Sequence, residues 1–178
     1  MPRNPQPRIR PGRAREPLTS SETRIIQVLL AGTLDPLPGL LAQLPHTRVL
    51  QRTQTEWGPW IDLWVAPRLQ RVTPAHFQVS DVRLTFEESP DHGGACLFVH
   101  DGQLSALEIL AAVPVDFHLR KIRYERMLES DDTSGMPDFV IVDRRAVDLV
   151  AADIEEARGW ERSEAPSHHH KKGRRRPS

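Results

Sequence analysis

The sequence predicts an α+β fold, and three observations carry that expectation. Apolar residues recur at helical spacing near both ends of the chain. Between them, from Thr47 to Ile109, the apolar period falls from 3.6 residues to 2. Turn residues separate those alternating runs, as in antiparallel sheet. The expected order is an N-terminal helix pair, an antiparallel β-meander of about four to five strands and a C-terminal helix. Disordered basic tails flank this body, and the 178 residues suit one domain of roughly 100–150 residues plus tails.

The predicted domain spans residues 18–160. Residues 1–17 are rich in arginine and proline, with Ile9 the one sizeable apolar side chain, too little burial to offset the entropy of ordering. The first helix begins at Leu18-Thr19-Ser20-Ser21-Glu22, where Thr19 and Glu22 have the spacing of a capping box. Ile25, Ile26, Leu29 and Leu30 form its apolar stripe, and Gly32 ends it. A second helix, about Pro38 to Leu44, turns Leu37, Leu40, Leu41 and Leu44 inward.

Strands are predicted at 47–55, 60–66, 78–87, 95–100 and 104–111. In the last pair, Leu97, Val99, Leu107 and Ile109 share one parity. A three-residue His100-Asp101-Gly102 loop therefore fits better than a two-residue turn, and it sends Cys96, Phe98, Leu104 and Ala106 to the other face. Residues 112–136 keep no sustained apolar period. Phe139 to Val142 reads as a short strand, and Asp143 caps a helix from Arg144 to Arg158 that Gly159 stops. Residues 161–178 form a polar tail with His168-His169-His170 and a basic end.

The formal net charge of zero is a cancellation. Residues 1–17 carry +4 and residues 165–178 carry +5, whereas residues 18–164 hold 14 basic against 23 acidic side chains, a net of −9. Such asymmetry bears on partners and association rates rather than on fold. It predicts a basic protein partner for the body, and it leaves nucleic acid as an alternative partner for the tails, through salt-sensitive phosphate contacts.

Cys96 is the one cysteine, so neither an intramolecular disulfide nor a thiolate metal cluster is available. No stretch approaches the ~18 apolar residues of a spanning helix, and the start has no apolar signal core, which predicts a cytoplasmic protein with no membrane partner. A phosphate-binding glycine loop, a nucleophile elbow and a zinc-protease helix motif are all absent from the sequence. The expectation favours a non-catalytic chain with no cofactor and no metal, and an enzyme with a cryptic site around Asp62 stays open as an alternative. Among the histidines of the body, none pairs with another at i+2 or i+4. The acidic groups Glu87, Glu88, Asp91 and Glu129, Asp131, Asp132 lie in turn sequence, where solvation is expected.

The candidate binding residues are Trp57, Trp60, Asp62 and Trp64. On a strand, Trp60 and Trp64 share a face with Asp62 between them, a rigid amphipathic patch of the kind that anchors interfaces. Core packing beneath a covering helix is the competing role for the indoles.

The opening Leu18-Thr19 with Glu22, the strand ending Ile61-Asp62-Leu63 and the run Phe98-Val99-His100-Asp101-Gly102-Gln103-Leu104-Ser105-Ala106-Leu107-Glu108-Ile109 resemble a group of small actinobacterial proteins of unknown function. The resemblance covers about residues 18–111. In that group a Gly/Cys turn precedes the Ile-Asp-Leu strand, and here Glu56-Trp57-Gly58-Pro59-Trp60 stands in its place without cysteine. The group is similar in size and outline to immunity-type proteins that neutralise toxins. The resemblance thus implies a protein-binding role and brings no catalytic residue with it.

Overall fold

The structure is a computed structural model, and it describes residues 15–86, 92–111, 122–129, 139–142 and 147–164. Three α-helices, α1 (Ser20–Leu29), α2 (Leu37–Gln43) and α3 (Val147–Glu164), accompany β1 (Thr47–Gln54), β2 (Pro59–Val65), β3 (Phe77–Phe86), β4 (His92–His100), β5 (Gln103–Ala111), β6 (Ile122–Glu129) and β7 (Phe139–Val142). A 3₁₀ turn, Leu44–His46, joins α2 to β1. The strands form one antiparallel sheet in the order β1-β2-β5-β4-β3-β6-β7.

The α+β class stands. Among the described residues the sheet has seven strands rather than four or five, and β2 pairs with β5 instead of β3. The order β2-β5-β4-β3 is a Greek key, with residues 66–76 as its long connection. The strand that sequence periodicity misses is β6, because Ile122-Arg123-Tyr124-Glu125 alternates for only four residues before the pattern breaks.

Register divides the sheet into two faces. Ile61, Leu107, Leu97 and Val79 stand side by side across β2, β5, β4 and β3 and are all buried. This first face packs beneath α1, which buries Ile25, Ile26 and Leu29, and α2, which buries Leu37 and Leu40. Thr19 caps α1 through the expected capping box: the Glu22 amide donates to Thr19 Oγ1 at 3.1 Å, and the Thr19 amide donates to Glu22 Oε2 at 2.7 Å. In α2, Leu41 turns to solvent rather than inward, and Gln43 is buried in its stead.

The neighbouring row, Asp62, Ala106, Phe98 and Gln78, faces the other way. Three bulges adjust these faces. One on β3 between Val79 and Val82 keeps both valines in the core. Another on β1 between Val49 and Gln51 brings Arg52 opposite Ile61, beside α1.

The third bulge corrects the predicted hairpin. The β4–β5 loop has two residues, Asp101 and Gly102, with φ of 51° and 68°, as in a type I′ turn. Parity is restored at Ser105, where Phe98 pairs with Ala106 but Val99 pairs with Leu104. The extra residue sends Leu104 into the main core rather than to the second face.

Both predicted domain limits also move. Arg15–Pro17 belong with the body: Glu16 forms an antiparallel bridge to Val49 at the free edge of β1, with N–H to O=C distances of 3.1 and 2.8 Å. At the other end α3 runs through Gly159 to Glu164. One glycine costs a helix only about 1 kcal/mol, and nothing shows a chain reversal there. Residues 1–14, 87–91, 112–121, 130–138, 143–146 and 165–178 lie outside the described residues. With them fall most of both predicted tails, the Glu87-Glu88-Asp91 group, Asp131, Asp132 and the Asp143 cap. Among the described residues, no helix is long and apolar enough to cross a membrane.

Candidate functional site

On the second sheet face, alternation along β2 turns Trp60, Asp62 and Trp64 away from the core that Ile61, Leu63 and Val65 enter. The Trp60 indole N–H donates to Asp62 Oδ1 at 2.8 Å, which fixes both side chains. Trp60 also meets Phe98 of β4, with ring centroids 5.1 Å apart and planes tilted by 38°.

These rings form part of the floor of a cavity of about 850 Å³. Gln78 and Ala106 continue the floor, and α3 supplies a wall of Asp153, Glu156, Ala157 and Trp160. Val150 and Ile154 of α3 are buried, so the helix is held by its apolar stripe while 153, 156 and 160 border the opening. Arg158 fastens α3 to the α1–α2 loop through Asp35, at 2.8 Å. Among the described residues that line the cavity there is no lysine or arginine. An apolar aromatic floor with an acidic wall is the result.

The four residues singled out from the sequence do not form one patch. Trp60 lines the cavity and Asp62 orients it. Trp64 lies under the guanidinium of Arg15, whose Cζ is 3.5 Å from the ring centroid. Trp57 sits at the tip of the β1–β2 hairpin, 62% exposed, where Thr55 and Gly58 close the turn through a 2.9 Å backbone hydrogen bond. Trp60 thus borders an open cavity, and the half-buried Trp64 is covered by the N-terminal arm rather than by a helix.

No protein-family model, curated protein or solved structure matches the chain. The site therefore stands on its own geometry.

At one end of the cavity the structure assembles a group that local sequence spacing does not show. His76 and His100 both line the cavity. The pairing of Phe77 with Val99 places them opposite each other, and their rings meet edge to face at 4.4 Å. Asp101 joins them: its carboxylate oxygens lie 3.8 Å from His76 Nε2 and 3.6 Å from His100 Nδ1. All three are exposed. The signal that could have found them is strand register, since aligning the apolar residues of 77–79 with 97–99 brings the two histidines together.

Buried polar contacts hold that end rigid. Gln43, 2% exposed, donates through Nε2 to the carbonyls of Gly102 and Gln70, both at 3.0 Å. It accepts from the Leu104 amide at 3.1 Å. The 66–76 connection adds Val72 N–H to Gly102 O at 3.0 Å and Gly102 N–H to Ala75 O at 2.9 Å. Asp101 is presented on a turn fastened from both sides.

Cys96, on the same sheet face beside Glu108, is buried. Burial and then the Glu108 carboxylate push its thiol up to about 12. A group so far from the thiolate is a packing residue rather than a nucleophile.

Proposed function

We propose that this protein is a non-catalytic binding module whose second sheet face receives a basic segment of a protein partner. The observation that carries the reading is the cavity between α3 and the sheet: its Trp60–Phe98 floor offers a rigid aromatic anchor site, and its α3 wall carries Asp153 and Glu156. Apolar contact on the floor supplies affinity, and the acidic wall within a body of net −9 speeds encounter with a basic surface. Neutralising a toxin, as the resemblance to immunity-type outlines implies, is one form this function takes. Nucleic-acid binding through the basic tails is the alternative, and it rests on residues outside those described.

Titration of the full chain with short synthetic peptides separates the two. Peptides carrying an aromatic anchor flanked by arginines should bind, and those with glutamate in place of arginine should not. Trp60→Ala should weaken binding at least tenfold, about 1.4 kcal/mol, and Glu156→Lys should slow association and flatten its salt dependence. Peptide binding unmoved by either substitution, together with duplex DNA or RNA binding that disappears on removal of 165–178, would overturn the module in favour of the alternative.

A further inference from the structure

We infer that His76, His100 and Asp101 form a site for a divalent transition cation, with zinc the representative ion, at the end of the cavity. Two imidazoles and a carboxylate are a donor set suited to zinc and its neighbours rather than to calcium or magnesium, which prefer oxygen alone. Zinc holds such ligands at about 2.0–2.2 Å, so tetrahedral neighbours stand about 3.3 Å apart. The two imidazole–carboxylate separations, 3.8 and 3.6 Å, exceed that by a few tenths of an ångström. One donor atom from each residue falls within 4.8 Å of the others. Rotation of exposed side chains supplies the contraction.

The fold prepares this arrangement by two independent means. Pairing of Phe77 with Val99 sets His76, just before β3, beside His100 at the end of β4, and the Gln43-fastened turn fixes Asp101. The three side chains come from the connection just before β3, the end of β4 and the β4–β5 turn, so the site exists only once the β3–β4–β5 hairpins have formed. Three protein ligands leave a tetrahedral position open for water or for a donor atom brought by a partner. Because His76 and His100 line the cavity, an ion held there borders the space where a partner would lie. The inference does not depend on the peptide-binding role: a metal site stands or falls by these three residues.

The test uses the full chain carrying His168→Ala, His169→Ala and His170→Ala, because three adjacent tail histidines bind metal themselves. Cobalt(II) is titrated while its visible absorption is followed, and zinc is then added to displace it. The expected result is one cobalt per chain in a tetrahedral or five-coordinate spectrum, released by zinc. His76→Ala and His100→Ala should each weaken binding by at least the roughly 10–100-fold that the loss of even an outer-shell partner costs. His46→Ala should leave it intact. Asp101→Asn keeps a residue that tolerates the left-handed turn, and it too should weaken binding while the circular dichroism spectrum stays native. A parent chain that binds no cobalt, or one whose stoichiometric binding survives the joint His76→Ala and His100→Ala change, overturns the inference.

Discussion

The guanidinium of Arg52 on β1 clasps the carboxylate of Glu22 on α1 with two hydrogen bonds, Nε to Oε1 at 2.7 Å and Nη2 to Oε2 at 2.9 Å. Glu22 also accepts from the Thr19 amide, so one carboxylate caps α1 and ties it to the sheet. Burial alone would raise the carboxyl; the Arg52 and Thr19 hydrogen bonds and the Arg52 charge outweigh it and hold the group below its ordinary 4.5. A carboxyl depressed in the folded state contributes stability that is present above the unfolded value and lost as pH falls through the folded one.

Glu22→Gln should therefore destabilise the protein by about 2 kcal/mol at neutral pH. That is less than the roughly 3–5 kcal/mol typical when a fully buried pair is broken, because Arg52 keeps 30% of its side chain in solvent. The variant and the parent should converge as pH falls through and below the depressed folded value of the Glu22 carboxyl, since Arg52 stays charged throughout that range. Urea denaturation across pH checks this. A constant gap between the two proteins down to acid pH would show that shape rather than charge carries the contact.

The Gln43 fastening gives a second expectation. Gln43→Ala leaves the Gly102 and Gln70 carbonyls and the Leu104 amide without this partner, and should cost at least about 2 kcal/mol. Gly102→Ala should cost more: the residue has φ +68°, and its new Cβ would fall 2.4 Å from the Val72 carbonyl oxygen. Gly32→Ala meets nothing within 4 Å, so it bears only the backbone strain of its positive φ. Melting temperatures in the order Gly102→Ala lowest, Gly32→Ala highest are expected, and the reverse order would refute the fastened turn.

Cys96 should be inert in the native protein. With its thiol pushed up to about 12 and its side chain buried, a disulfide reagent near neutral pH should label it only as the chain unfolds, and labelling should keep pace with unfolding in denaturant. Glu108→Gln removes the lesser of the two effects and should bring the thiol down only partly. Rapid stoichiometric labelling without denaturant would contradict the burial.

Much of this fold was legible because it depends on local pattern. The Thr19–Glu22 capping box, the Ile25–Leu30 stripe and the alternation around Ile61, Leu97 and Leu107 each declare their element and its buried side. Bulges are not written that way. The extra residue at Ser105 changes the face of Leu104 without changing any periodicity a short strand can show. Long-range pairing is hidden for the same reason: β2 beside β5, and His76 beside His100, follow from register across the sheet rather than from spacing along the chain. Of the site, Trp60 and Asp62 were legible from strand parity, whereas the α3 wall required knowing where a helix some ninety residues later would lie.

The N-terminal boundary supplies the last expectation. Sequence places the start of the domain at residue 18, yet Glu16 bridges Val49 and its carboxylate meets Arg52 Nη1 at 2.6 Å, while Arg15 covers Trp64. These contacts also shield the free edge of β1, which otherwise presents unpaired backbone groups to a second chain. A chain of residues 15–164 should melt with the full protein. One of residues 18–160 loses the bridge and the last turn of α3, and should be less stable by about 1–3 kcal/mol, a modest sum because the Glu16 side chain is 66% exposed. Since Arg15 and Glu16 cancel, the 15–164 chain carries net −9 against zero for the whole, and should bind an anion exchanger that the whole chain passes. The two shortened chains have nearly the same charge, so ion exchange reads the tails and thermal melting reads the edge bridge. Equal melting of the two would mean that Arg15–Pro17 lie on the sheet without stabilising it.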